Sequence, residues 1–196
     1  MSIEVGVVCS ANVCRSPMAA ALMRESAARH GADIIVMSVG MIGGGRRADP
    51  AVVRAMDRRG IDLDGHRSFG IDEVDLDALD LILTMERDHL RGIVVGRPHL
   101  WPRTFTIKEY VRRSAAAGDR PADEVWTAWL ERLGDGRSRA ELLGDGQRDD
   151  VAYPAPPTLR AVEATARLLD ELVDAVVTRS FRLDVIDRPS ATPFNT

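Results

Sequence analysis

The first forty residues restrict this chain to a small set of folds. Residues 3–9 are β-branched and apolar almost without interruption, which is typical of a strand buried on both faces of a sheet. Ser16-Pro17 then begins a helix well, because serine can cap the first turn and proline is tolerated at the first helical position. Apolar residues at helical spacing continue to Gly31, and residues 34–39 form a second apolar run. This order predicts two parallel strands joined by a crossover helix.

The rest of the chain continues the alternation of strands and helices. Asp49-Pro50 repeats the pattern of a capping residue followed by proline and predicts a helix that ends near Gly60. The run LDLILTM at residues 79–85 predicts a third buried strand, and residues 93–95 predict a brief fourth. Further helices are expected at residues 106–117, 122–133 and 158–179. Such alternation is typical of an α/β domain with a parallel sheet, in which ligands bind beyond the carboxyl ends of the strands.

Length, composition and charge exclude several classes of protein. The chain has 196 residues, 45% hydrophobic and 29% charged, which suits one domain at residues 1–180 with a flexible tail at 181–196. A net charge of −4 gives no reason to expect nucleic acid or an anionic membrane as a partner. No apolar run approaches the ~20 residues that cross a bilayer, and the acidic N-terminus is unlike a signal peptide. We therefore expect a cytoplasmic protein.

The chain has two cysteines, Cys9 and Cys14, which are five positions apart. A structural disulfide is not expected in a cytoplasmic protein. A zinc site needs four ligands, and the four histidines are scattered without motif spacing, so we expect no metal and no other cofactor. Either cysteine could also be a small buried hydrophobe. For Cys14 two alternatives stay open, packing alone or a redox partnership with Cys9.

The position of Cys9 favours chemistry. It ends the first strand, Arg15 follows six residues later, and a helix begins at once. So short a connection turns several backbone N–H groups inward and forms an anion-binding nest at the positive end of the helix. A phosphoryl group could be held by those amides and by the planar guanidinium of Arg15. The same positive field stabilises a thiolate, so Cys9 is placed for in-line attack on phosphorus.

The segment CSANVCRSP at residues 9–17 resembles the phosphate-binding loop of the low-molecular-weight protein tyrosine phosphatase family. That family has Cys-x-x-Asn-x-Cys-Arg-Ser directly after its first strand. Three later segments are also similar to the family: Ser38-Val-Gly40, GIDLDGHRS at residues 60–68, and LTME at residues 83–86. The resemblance covers about residues 3–179. It implies an α/β three-layer sandwich with a four-stranded parallel sheet.

The resemblance assigns roles to the residues of this loop. Cys9 would be the nucleophile, Arg15 would clamp the transition state, and Ser16 would bond the thiolate and ease its departure from phosphocysteine. The phosphate would be bound by the residues of the loop itself, Ser10, Ala11, Asn12, Val13, Cys14 and Arg15.

The resemblance also assigns roles around the loop. Asn12, Ser38 and His66 would form a polar network that holds the loop in a strained shape. Glu86 would take the place of an acid that orients the arginine. Cys14 would be the family's second cysteine, which can bond reversibly to the nucleophile and protect it from deeper oxidation.

One segment departs from the family pattern. The family has an Asp-Pro in a loop before the last helix, and this acid protonates the leaving oxygen and later activates water. Here Tyr153-Pro154 stands in that place, and a position that is usually aromatic is Ala155. General acid catalysis is worth ~10²–10⁴-fold, and a phenol of pKa ~10 is poorly matched to neutral pH. Asp149 or Asp150 could reach in instead, the leaving group could depart without a proton, or the site could turn over slowly.

The sequence therefore predicts hydrolysis of phosphomonoesters, first of all protein phosphotyrosine, through a phosphocysteine on Cys9. A phosphorylated protein or a small phosphomonoester would be the partner. One alternative is a pseudo-phosphatase that binds phosphotyrosine or oxyanions, with Tyr153 as the discriminating feature. Another is arsenate reduction, because some arsenate reductases share this fold and loop. Those coupled to thioredoxin need further cysteines, and none follows Cys14.

Overall fold

The structure is a computed structural model that describes residues 2–143 and 147–181. Its centre is a four-stranded sheet with the order β2-β1-β3-β4, in which every neighbouring pair is parallel. The strands are β1 (Ile3–Cys9), β2 (Ile34–Gly40), β3 (Leu81–Thr84) and β4 (Thr104–Thr106). The predicted α/β fold with a four-stranded parallel sheet is confirmed. The proposed tail lies, apart from Phe181, outside the described residues.

Helices connect the strands and cover both faces of the sheet. They are α1 (Arg15–His30), α2 (Pro50–Asp57), α3 (Arg87–Gly96), α4 (Ile107–Ala117), α5 (Trp126–Gly134) and α6 (Leu159–Ser180). The side chains of Asp49, Thr106 and Thr158 cap α2, α4 and α6 by accepting a backbone N–H from the first turn. Of the helices in the described residues, none is both long and apolar enough to span a membrane.

The prediction of a fourth strand at residues 93–95 is wrong. These residues lie in α3, where Ile93 and Val94 are buried and Val95 is 73% exposed. A run of three apolar residues is too short to show a period of two or of 3.6, so its type could not be read from the pattern. The true fourth strand, Thr104–Thr106, buries Phe105 between two threonines.

The side chains of β1 divide the core into two layers. Val5 and Val7 point into the larger apolar cluster, where α1 packs along α6. Val8 points to the opposite face, into a smaller cluster that α3 contributes to. Because the strands are parallel, the carboxyl ends of β1, β2 and β3 meet at one edge of the sheet, and Cys9 lies there.

Gly40 allows the end of β2 to approach the loop after β1. Its N–H donates to the carbonyl of Phe69 at 2.8 Å. A Cβ at this position would lie 3.0 Å from the carbonyl carbon of Ala11 and 3.1 Å from the amide nitrogen of Asn12. Both neighbours are backbone atoms and cannot rotate away. The glycine of the Ser38-Val-Gly40 segment is therefore required by a close contact between two backbones.

We expect Gly40→Ala to destabilise the fold by about 1–3 kcal/mol, because the added methyl group must displace backbone. Urea unfolding of the purified protein measures this change. Gly96→Ala, in the last turn of α3, is the matched control, since no neighbouring heavy atom lies within 4 Å of its added Cβ. Equal stability of the two variants would contradict the close contact.

Candidate active site

The loop between β1 and α1 has backbone amides without backbone partners. Asn12 lies in the left-handed region with φ of 51°. Within the described part of the chain, the N–H groups of residues 11–16 donate to no backbone carbonyl, and the first bond of α1 comes from Met18 to Cys14. Unpaired amides at the start of a helix form an anion site, because they carry the positive end of the helix dipole.

Asn12 is held in this conformation from three directions. His66 Nε2 donates to its backbone carbonyl at 2.7 Å. The Asn12 side chain accepts a hydrogen bond from the N–H of Phe69 at 3.0 Å and donates one to Ser16 Oγ at 2.9 Å. A positive φ is strained for most residues and persists only where surrounding bonds fix it. The structure thus brings together Asn12, Ser16 and His66.

The thiol of Cys9 lies over the start of α1. Its Sγ is 3.0 Å from Ser16 Oγ, and either atom could be the donor. Ser16 Oγ is also 3.3 Å from the carbonyl of Val39 and has only one hydrogen to give. A thiolate can only accept hydrogen bonds, so the Ser16 hydroxyl would donate to an ionised Cys9 Sγ and not to the carbonyl of Val39. Ser38, which pairs with Val7 in the sheet, makes none of these side-chain bonds in the described residues.

Arg15 is a buried cation with a fixed orientation, since only 3% of its side chain is exposed. Its Nη1 donates to Glu86 Oε1 and, at 2.7 Å, to the backbone carbonyl of Val151. Its Nη2 donates to Ser10 Oγ at 3.2 Å. Its Nε has no hydrogen-bond partner among the described residues. A buried N–H without a partner is costly, and Nε is a donor of Arg15 that these contacts leave unused.

A pocket of about 320 Å³ opens above these groups. It is lined by Cys9, Ser10, Ala11, Val13, Cys14, Arg15, Glu86 and Tyr153. The Tyr153 ring lies with its centre 5.6 Å from the guanidinium carbon of Arg15, and the residue is 43% exposed. Loss of solvent around the ring raises the pKa of Tyr153 above its ordinary value near 10. The phenol is therefore protonated at neutral pH but a weak proton donor.

The two aspartates upstream of Tyr153 do not line this pocket. Asp149 is buried and its carboxylate accepts from Arg112 at 2.9 Å. The Asp150 carboxylate accepts from the N–H of Arg87 at 2.8 Å, and its backbone carbonyl accepts from Lys108. Both residues attach this loop to α3 and α4. The hypothesis that either one reaches the reacting phosphoryl group finds no support in these positions.

His89 touches the site, although the sequence pattern gave it no role there and indicated only that the four histidines are scattered. Its Nε2 is 2.9 Å from Ser10 Oγ and 3.2 Å from Glu86 Oε2, and its side chain is 6% exposed. Burial lowers the pKa of His89 below its ordinary value near 6.5, although the nearby Glu86 opposes this shift. The available signal was the spacing Glu86-x-x-His89 in the first turn of a helix that follows a buried strand.

Cys14 is a free thiol at the end of the loop, where it is packed into the core and 2% exposed. Burial and the nearby Cys9 raise the pKa of Cys14 to about 12. A thiol with so high a pKa is protonated at neutral pH and reacts slowly as a nucleophile. Whether Cys14 pairs with Cys9 under oxidation stays a prediction.

We expect Cys14 to give no thiolate signal at neutral pH. In a Cys9→Ser variant, the ultraviolet absorbance of thiolate should stay flat from about pH 5 to pH 9, a range that includes the ordinary thiol pKa of ~8.5. The Cys14→Ser variant is the control and isolates the signal of Cys9. A titration of the Cys9→Ser variant near pH 8 would contradict the effect of burial.

Comparison with known proteins agrees with this geometry. The family described as low molecular weight phosphotyrosine protein phosphatase matches residues 4–121. A protein-arginine-phosphatase of Bacillus subtilis (strain 168) is 35% identical over 112 residues, which are 57% of this chain and 74% of that protein. A low molecular weight protein tyrosine phosphatase from T. tengcongensis superposes with a TM-score of 0.67 at 29% identity, covering 90% of this chain and 98% of the other.

A further solved structure bears on the reaction. It is a mutant of the YwlE arginine phosphatase in which the active-site serine is phosphorylated. It superposes with a TM-score of 0.65 at 25% identity and covers 90% of this chain and 94% of the other. The match over more than half of the sequence, together with the loop geometry, leads to one conclusion: this chain belongs to the low-molecular-weight phosphotyrosine protein phosphatase family.

Proposed function

We propose that this chain hydrolyses protein phosphotyrosine through a phosphocysteine on Cys9. The observation that carries the proposal is one pocket that is lined by Cys9, by Arg15 and by loop residues whose amides have no backbone partner. The oxygens of a phosphoryl dianion bound there would accept hydrogen bonds from the amides and the guanidinium, and Cys9 Sγ would lie below the phosphorus. Binding energy of this kind is strongest where charge develops in the transition state.

The first chemical step forms the S–P bond and breaks the bond from phosphorus to the leaving oxygen. The Ser16 hydroxyl donates a hydrogen bond to the Cys9 thiolate before the attack and again when the thiolate is released. The Asn12–Ser16 bond at 2.9 Å keeps the hydroxyl in place. In the second step water cleaves the phosphocysteine and releases inorganic phosphate. The phosphorylated active-site residue of the YwlE structure supports a covalent intermediate at the corresponding loop.

The choice of phosphotyrosine rests on the chemistry of the leaving group. The related proteins are named for tyrosine or for arginine. No carboxylic acid other than Glu86 lines the pocket within the described residues, and Glu86 contacts Arg15 and His89. A phenolate of pKa ~10 departs without a proton more readily than a guanidine, whose pKa exceeds ~12. An unassisted site therefore favours the aryl ester. A small aryl phosphate is an equally suitable substrate.

A cytoplasmic location stays a prediction from the sequence.

A second candidate function is binding of phosphotyrosine without turnover. The position of Tyr153 favours it, because a ring beside the Arg15 guanidinium can stack on a bound aromatic group but cannot serve as the base for the second step. The two functions differ in a single measurable property, release of inorganic phosphate.

We expect hydrolysis of p-nitrophenyl phosphate, with a loss of about 10²–10⁴-fold in kcat/KM on phenyl phosphate, because the poorer leaving group needs the missing proton. Steady-state rates on the two esters at neutral pH measure this ratio. Cys9→Ser is the control for the nucleophile and should abolish turnover. Equal rates on the two esters would show that another acid assists. No turnover by the wild-type chain, with tight vanadate binding, would establish the binder instead.

Tyr153→Asp should raise kcat/KM on phenyl phosphate by about tenfold or more and change it little on p-nitrophenyl phosphate. The new carboxylic acid can give a proton to the leaving oxygen, and only the poorer leaving group requires it. Tyr153→Phe is the matched control, since it keeps the ring beside Arg15 and removes the hydroxyl. A gain of the same size in Tyr153→Phe would mean that the hydroxyl merely obstructs the pocket.

A further inference from the structure

A polar chain leads from the pocket into the protein. Ser10 lines the pocket and is exposed, and its backbone carbonyl is fixed by the N–H of Ile42 at 3.0 Å. Its hydroxyl lies 2.9 Å from Nε2 of the buried His89. The same nitrogen lies 3.2 Å from Glu86 Oε2, whose other oxygen contacts Arg15. The anion clamp and the imidazole therefore share one carboxylate.

The contact with Arg15 leaves the hydroxyl of Ser10 free to donate to His89. The guanidinium can only donate, so Ser10 Oγ accepts from Arg15 Nη2 at 3.2 Å. The hydroxyl hydrogen of Ser10 is then available to Nε2. The second lone pair of Ser10 Oγ is available to a group in the pocket. A hydroxyl in this position can take a proton from the pocket while it passes its own to the imidazole.

The other candidate bases do not have this access. The carboxylate of Asp149 is held by Arg112, and that of Asp150 caps the start of α3 through the N–H of Arg87. Tyr153 lines the pocket, but its phenol is protonated and cannot accept a proton at neutral pH. Hydrolysis of a phosphocysteine needs a group that accepts a proton from water.

We propose that His89, acting through Ser10, accepts the proton of the water that hydrolyses phospho-Cys9. This inference rests on the proposed function. Water attacks phosphorus, the S–P bond breaks and its electron pair returns to sulfur. The water proton moves to Ser10 Oγ as the Ser10 proton moves to His89 Nε2. The products are the Cys9 thiolate, hydrogen phosphate and an imidazolium, and the charge is the same before and after.

The surroundings of His89 suit this cycle. Charged groups near it come from three elements, Glu86 and Asp88 at the start of α3, Arg15 on α1 and Asp150 in the loop before α6. Burial and Arg15 lower the pKa of the imidazole, so the ring is neutral at pH 7 and can accept a proton. Glu86 Oε2 then lies against the new charge. Nδ1 has no hydrogen-bond partner in the described residues, so the polar contacts of the ring there are made through Nε2.

His89 is thus a positioning residue for the second step, and Ser10 is the group that meets the water. Because the neutral ring offers no proton to the first step, the strong dependence on the leaving group is unchanged. The two properties of the site, an unassisted first step and an assisted second step, can be measured separately.

The test is His89→Gln, which keeps a hydrogen-bonding group near Ser10 but cannot take a proton. On p-nitrophenyl phosphate we expect kcat to fall by about 10²-fold. We expect KM to fall by the same factor, so that kcat/KM, which reports the first step, is unchanged. A burst of p-nitrophenol equal to the enzyme concentration should appear as phosphocysteine accumulates. Vanadate affinity should not change.

The pH profile separates this role from a structural one. Because the pKa of His89 lies below its ordinary value near 6.5, the wild-type kcat should fall on the acidic side of that value, as the imidazole becomes protonated, and His89→Gln should lack this acidic limb. Ser10→Ala, at an exposed position, should reproduce the loss, and the double variant should lose no more than either single variant. His99→Gln is the matched control, because His99 pairs with Asp77 outside the pocket.

Two results would overturn the inference, and they are distinguishable. An active wild-type protein whose His89→Gln variant keeps kcat and the acidic limb, or loses kcat/KM together with kcat, would remove the relay and leave the proposed function intact. No release of phosphate by the wild-type protein would remove the proposed function and the relay with it.

Discussion

The left-handed turn at Asn12 is the constraint on which the rest of the site depends. It lies in the middle of the loop whose amides, at residues 11–16, have no backbone partner and can bind an anion beside Cys9. The turn is fixed by neighbours that come from distant parts of the chain, His66 and Phe69 on one side and Gly40 on the other. Their shared function is to hold one strained backbone conformation.

Charge balance is the second requirement, because Arg15 is buried. A cation in this position costs several kcal/mol unless it is paired and fully hydrogen-bonded. Glu86 and the carbonyl of Val151 supply part of that compensation, and the Nε that has no partner is the part left for a ligand. Glu86 also contacts His89. One carboxylate therefore orients the clamp and also opposes the lowering of the imidazole pKa by burial.

Local signals in the sequence predicted the fold and the centre of the site. The cap at Asp49 and the loop from Cys9 could be read directly, because each depends on neighbours in sequence. The fourth strand could not be predicted in this way, because three residues are too few to show a period. Its pairing with β3 depends on tertiary contacts. The orientation of Asp149 and the contact between Ser10 and His89 depend on partners far along the chain, which spacing does not reveal.

A site that lacks an acid for the first step selects its substrates by the acidity of the leaving group rather than by the shape of the pocket. The pocket walls include Ala11 and Val13, whose apolar side chains offer no polar contact that would distinguish an aliphatic ester from an aryl one. An aliphatic alkoxide, however, is a far stronger base than a phenolate, and each decade lost in the departure step costs about 1.36 kcal/mol in the barrier. The acidity of the departing group then decides which esters react. Once an aryl group has left, the relay from Ser10 to His89 preserves turnover. The leaving group therefore decides selectivity, and the relay supports the rate of the second step.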